Sequence, residues 1–177
     1  MKPFITPDIS ADGRKLLKLQ CENIESEKIP KYAQDLSIVA YSMPEGHSLQ
    51  AAWIFRLIFS NEDSLEFSSA CTIVDSFQEA GSLNIKLISR AVSENPEIDA
   101  VLVRIDIPHF QIKSMVKLTY EGDNFCSECG IAFGCANGEE IVIATGISPG
   151  SVSIAAPFST SAFETEFSIS KFNRNSF

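Results

Sequence analysis

The chain has little with which to do chemistry at neutral pH: two histidines, His47 and His109, in 177 residues. They are the only side chains whose ordinary pKa lies near neutrality, so general acid–base catalysis would have to start from them. Neither glycine-rich phosphate-cradling pattern, G-x-G-x-x-G or G-x-x-x-x-G-K-[ST], occurs, which argues against a nucleotide-binding loop. Apolar runs fall well short of the roughly 20 residues a membrane-spanning helix needs, so no membrane role is expected. The opening octet, Met1 to Asp8, lacks the apolar segment of a secretory signal, and the reading is a cytoplasmic protein.

Basic residues are also scarce, and unevenly placed. Fourteen Lys and Arg stand against 23 Asp and Glu, a formal charge of −9. Such a balance repels phosphate backbones and anionic lipid, so nucleic acid is not an expected partner. Six of the basic residues lie in the first 31 positions, while residues 118–170 contain none. Seven carboxylates (Glu121, Asp123, Glu128, Glu139, Glu140, Glu164, Glu166) fall in that stretch. Solvated carboxylates aid solubility, and a one-signed face also steers an oppositely charged partner. Glu139 and Glu140 are therefore candidate contacts for a basic protein.

What the chain does have is apolar content: 45% of residues, with 13 Phe. At this length that is enough for one sizeable core, so a single domain over 1–177 is expected. The dominant period is two. Trp53, Phe55, Leu57 and Phe59 alternate with Ala52, Ile54, Arg56 and Ile58 before a polar turn at 61–64. Val116, Leu118 and Tyr120 repeat the pattern before Gly122-Asp123-Asn124. Strands are read at 98–107, ending at Pro108, and at 140–145, 151–155 and 163–170, with helix confined to 29–36. The stretch 81–92 fits either period. Many short strands with turn signals predict a mainly β fold, an antiparallel sandwich or partly open barrel built from meanders, with one or two short helices.

Arg56-Leu57-Ile58-Phe59 and Lys117-Leu118-Thr119-Tyr120 share a basic-Leu-x-aromatic pattern 61 residues apart. The offset suggests a weak internal duplication over 35–95 and 97–157.

Three constellations invite a chemical reading. Cys126-Ser127-Glu128-Cys129-Gly130, with Cys135 beyond, resembles the knuckle of a zinc ribbon, although the second pair is incomplete, with no fourth ligand nearby, and residues three apart on a continuous strand face opposite sides. Five cysteines with no export signal otherwise suggest free thiols in a reducing compartment. Gly146-Ile147-Ser148-Pro149-Gly150 has the spacing of a nucleophile elbow, but Pro149 lacks the N–H that would complete an oxyanion hole, so a strand-to-strand turn is expected. His47, His109 and Trp53 are candidate binding residues at loops or strand ends.

Three functions follow as expectations. The first is a non-enzymatic module binding a protein, with the charge favouring a basic one. The second is a small-ligand-binding or substrate-handling β fold using the histidines and Trp53. The third is a domain with a structural zinc at Cys126, Cys129 and Cys135.

Overall fold

The computed structural model describes residues 3–90 and 96–177. Within them the chain forms β1 (Asp8–Ile9), β2 (Lys15–Leu17), β3 (Gln20–Glu22), α1 (Ile29–Ala33), β4 (Ser37–Pro44), β5 (Phe55–Phe59), β6 (Ser64–Asp75) and β7 (Gln78–Ile88). There follow α2 (Pro96–Asp99), β8 (Leu102–Gln111), β9 (Ser114–Glu121), β10 (Phe125–Gly134), β11 (Glu140–Thr145), β12 (Val152–Ala155) and β13 (Phe172–Asn175). Short 3₁₀ turns precede α1 and β13.

Two sheets stack face to face without closing into a barrel, so the mainly β, sandwich-like expectation holds. One sheet runs β3-β7-β6-β5-β4-β8. The other runs β1-β2-β10-β11-β12, with β9 on the opposite side of β10 and β13 outside β9. Most neighbours are antiparallel. The exceptions, β3 on β7 and β2 on β10, are parallel, and make both sheets mixed. No helix among the described residues is long and apolar enough to cross a membrane.

The alternation that marks the strands also fills the core. Phe55, Leu57 and Phe59 of β5 and Leu65 and Phe67 of β6 are fully buried, as are Ile131 and Phe133 of β10 and Ile143 of β11. Phe67 meets Phe55 in a tilted contact at 6.5 Å and Phe133 edge-on at 6.2 Å across the two sheets. Side chains of this size each contribute roughly 1.5–3 kcal/mol when removed from water.

The opposite face of the first sheet is polar and ordered by charge. Directly opposite one another from strand to strand stand Arg104, Ser42, Arg56, Glu66, Lys86 and Glu22, a row across all six strands. Arg56 bonds Glu66 at 2.7 Å and Asp99 at 2.6 Å, tying α2 to the sheet, and Lys86 meets Glu22 at 2.8 Å. Cross-strand pairs of opposite sign stabilise a sheet where they face each other.

Several local expectations need correction. The strand read at 98–107 begins later and runs through Pro108 to Gln111, with 96–99 helical. A proline with no N–H is tolerated there because β8 is an edge strand. The ambiguous stretch 81–92 is strand as far as Ile88, while Ala91 and Val92 lie outside the described residues, as do Met1 and Lys2 of the opening octet. The strand expected at 163–170 does not form. Apart from one bridge of Thr165 to Gly146, this segment is irregular and ends in a 3₁₀ turn, and the pairing strand is β13. Its alternation is spent on two inward side chains: Phe167, stacked on Tyr120 at 4.2 Å, and Glu166.

Candidate functional site

The loop of residues 45–54, between β4 and β5, is held by backbone pairing to β12. Ala52 and Val152 exchange both hydrogen bonds, at 2.9 and 2.8 Å, and the Ile154 N–H donates to the Leu49 carbonyl at 2.7 Å. Leu49 and Ala52 are consequently buried, and Gly46 takes the positive φ of +80° that the preceding turn requires. Trp53, the single tryptophan, follows pinned Ala52 and stands 67% exposed. His47 packs edge-on against it, with ring centroids 5.9 Å apart, and its Nδ1 accepts the Trp53 N–H at a long 3.5 Å.

Trp53 lines a shallow hollow of about 380 Å³ together with Pro3, Ser68, Ser69, Asn84, Pro149 and Gly150. Pro149 and Gly150 come from the Gly-Ile-Ser-Pro-Gly segment, which is the β11–β12 turn. The Ser148 carbonyl accepts both the N–H and the hydroxyl of Ser151, at 3.0 and 2.7 Å. On the far side the Cys71 N–H donates to the Pro3 carbonyl at 2.8 Å, fixing the N-terminal segment beside the sheet. Phe4, next to Pro3, and Ile147, two residues before Pro149, are exposed large apolar residues.

His109 lies elsewhere, in a hollow of about 260 Å³ shared with Pro108, Phe110, Glu139, Pro157 and Phe158. The structure thus brings His47 to Trp53 and His109 to Glu139, in two separate places. Glu139 is exposed in the β10–β11 turn, where Asn137 donates to it at 2.9 Å. Glu140 is engaged in the fold, bonded by Arg174 through both guanidinium N–H groups at 2.6 and 2.7 Å, which hold its carboxyl below the usual range. Other carboxylates of the acidic third are also occupied: Glu128 pairs with Lys117 at 2.8 Å and accepts the Leu19 N–H at 2.9 Å.

All five cysteines are free. Cys126 and Cys129 sit on β10, the first ahead of an irregularity in its pairing with β9 and the second within it, between Glu128 and Gly130. Cys129 is fully buried with Leu17, Phe125 and Phe167, and burial pushes its thiol up to about 12. Cys126 is half-buried, its thiol also raised by burial. Cys135, past the strand end, packs beside the larger core cluster and bonds Asn137. Among the described residues no group of three His, Cys, Asp or Glu side chains is placed to hold a metal.

A further hollow, of about 810 Å³, was not foreseen in the sequence. Asn23, Ile24, Glu25, Lys28, Lys31, Tyr32 and Leu87 line it, between α1 and the end of β7. Leu87 is remote in sequence from the others, so only the parallel pairing of β3 with β7 brings them together.

Comparison with protein-family models, with curated proteins and with solved structures finds no match.

Proposed function

We propose that this protein is a non-catalytic protein-binding module whose contact surface centres on Trp53. The observation that supports this is the exposure of a tryptophan on a loop whose backbone is hydrogen-bonded to a neighbouring strand. A large aromatic held out from a rigid base loses little entropy on docking, and tryptophan is enriched among residues that dominate interface energetics. The prolines beside it offer apolar contact. The net charge of −9, with Glu139 in an exposed turn, favours a basic partner and faster encounter at low salt.

The test is a comparison of baits in native extract: the wild type, Trp53→Ala and Glu139→Lys, each checked for unchanged thermal stability. A protein retained by the wild type and lost by Trp53→Ala supports the reading. Identical retention by both removes Trp53 from it, and retention insensitive to salt removes the basic partner.

A second reading, binding of a small apolar ligand, draws on the 810 Å³ hollow, where Ile24, Tyr32 and Leu87 meet Lys28 and Lys31. Pockets of this size and mixed lining suit drug-sized molecules. Native mass spectrometry of the purified chain decides it: a retained mass that Leu87→Lys abolishes supports this reading, and a bare chain mass counts against it.

A further inference from the structure

The free edge of the first sheet carries a pattern that a second copy of the chain completes. Among the described residues β8 pairs on one side only, with β4. The Glu45 N–H donates to the Val101 carbonyl at 3.2 Å, in the same register that sets Met43 opposite Val103 and Tyr41 opposite Ile105. Since paired backbone groups alternate along an antiparallel strand, those of Val101, Val103 and Ile105 turn toward β4. The groups of Leu102, Arg104 and Asp106 turn outward, away from β4. Val103 and Ile105 lie at this edge on the side of core residues Tyr41 and Met43, and remain 44% and 39% exposed.

We propose that two copies of the chain associate edge to edge through β8, antiparallel, about a two-fold axis at Ile105. In that register Arg104 of each copy stands opposite Asp106 of the other. Both have outward-facing backbone groups, so the two pairs exchange four main-chain hydrogen bonds. Ile105 meets Ile105 of the second copy at the axis, and Val103 meets Ile107. A shift of two residues in either direction sets Arg104 against Arg104 or Asp106 against Asp106, which like-charge repulsion disfavours. The charge pattern therefore selects one register and is self-complementary, as a two-fold interface requires.

The row across the sheet points the same way. It runs Glu22, Lys86, Glu66, Arg56, Ser42 and ends at the open edge on Arg104. Asp106 of a second copy is the next member, of opposite sign. Within one chain Arg104 already meets Glu62 at 2.8 Å and Asp106 at 3.0 Å, so its guanidinium is held at the edge before association. Charged residues and Pro108 on an edge strand discourage indiscriminate pairing, and here they leave one partner acceptable: a strand with the same charges reversed in direction.

The experiment is sedimentation velocity on the full chain across a concentration series, with Arg104→Glu and Asp106→Lys as the variants. The wild type is expected to dimerise. Each variant alone places like charges across the axis and is expected to sediment as a monomer. In an equimolar mixture the introduced glutamate of one variant faces the introduced lysine of the other, and the retained Arg104 faces the retained Asp106. The mixture is therefore expected to restore a dimer that contains one copy of each. A wild type that stays monomeric throughout the series overturns the proposal, and so does a dimer that both variants leave intact. Amide exchange on the wild type gives a check independent of any substitution. Exchange at Arg104 and Asp106 slows with rising protein concentration if β8 pairs with itself, and concentration-independent exchange there overturns the proposal. None of these readouts involves Trp53.

Discussion

The carboxylate of Glu166 accepts the backbone N–H of Gly81 on both oxygens, at 3.0 and 2.9 Å, across 85 residues of sequence. β3 covers the edge of β7 only from Asn84 onward, which leaves Gly81 open. Glu166 fills that gap from one side, while the Ser127 hydroxyl of β10 donates to the Gly81 carbonyl. Two side chains thereby replace a missing strand and fasten the irregular segment before β13 to the other sheet.

That position makes stability depend on pH in an identifiable way. Burial raises the Glu166 carboxyl above its ordinary value of 4.5, with the nearby Glu79 adding to the rise, while the Gly81 N–H acts against it. In the window between 4.5 and the raised value, the folded chain holds a proton that the unfolded chain has released, so stability falls as pH rises through it. Glu140, Glu22 and Asp63, lowered by partners, act in the opposite sense and at lower pH. Glu166→Gln removes only the first contribution. Urea midpoints at about pH 4 and about pH 8 are expected to show the variant gaining on the wild type at the higher pH. A constant difference would show that Glu166 does not titrate in this way.

Gly81 itself has no room for a side chain. A Cβ there would sit 2.5 Å from Glu166 Oε2, 3.1 Å from Thr145 Cγ2 and 3.2 Å from Ser69 Oγ. Gly81→Ala is expected to dislodge the carboxylate and cost about 2 kcal/mol, the penalty of leaving a buried hydrogen-bonding group unpaired. Denaturant unfolding measures it. A wild-type midpoint would mean that Glu166 swings aside freely.

Arg56 and Glu66 are each 12% exposed by side chain, and Arg56 also holds Asp99. Arg56→Ala leaves Glu66 without this partner on a half-covered sheet face and is expected to destabilise by about 3 kcal/mol, whereas an exposed pair such as Lys18–Asp8 contributes less than about 1 kcal/mol. Thermal unfolding of Arg56→Ala and Lys18→Ala side by side checks the contrast.

Cysteine labelling should separate by burial. Cys126 and Cys135 are half-buried, as is Cys21, whose thiol burial pushes up to about 11. Cys71 and Cys129 are buried, with thiols pushed up to about 11 and about 12. A neutral thiol reagent is expected to modify Cys126 and Cys135 first in the native protein, Cys21 more slowly, and Cys129 only on unfolding, since the thiolate is the reactive form. Peptide mapping after brief labelling reads the order, and early modification of Cys129 would contradict the burial.

The hydroxyl of Ser82 is fully buried and finds no hydrogen-bond partner among the described residues. Ser82→Ala is therefore expected to raise stability by about 1 kcal/mol, since it removes an unsatisfied polar group at little cost in packing. A lower unfolding midpoint would reveal a partner for that hydroxyl.

The strand from Phe55 to Phe59 was legible because Phe55, Leu57 and Phe59 are buried while Arg56 and Ile58 are partly exposed, and period two records that directly. β9 shows the period in its residues although Leu118 and Thr119 are both buried. Where both the pattern and the chemistry are local, as at the Ser148-Pro149-Gly150 turn, the reading also held. The segment at 163–170 misled for a physical reason: it is held irregularly, by the neighbouring side chains of Glu166 and Phe167, one from each set of the alternation, and local alternation cannot distinguish a ladder from such a latch. Trp53 was visible as a candidate, but its exposure depends on the pairing of Ala52 with Val152, far along the chain.

By itself the sequence determined that this chain is a mainly β protein with one large apolar core and a surplus of negative charge, because strand period and net charge are sums over neighbours and composition. Tertiary structure alone decided which strand lies at an open edge, which carboxylates are engaged, and that Arg104, Arg56, Glu66, Lys86 and Glu22 form one row. Those depend on register between distant strands, and a slip of a single residue would turn every one of these side chains to the other face.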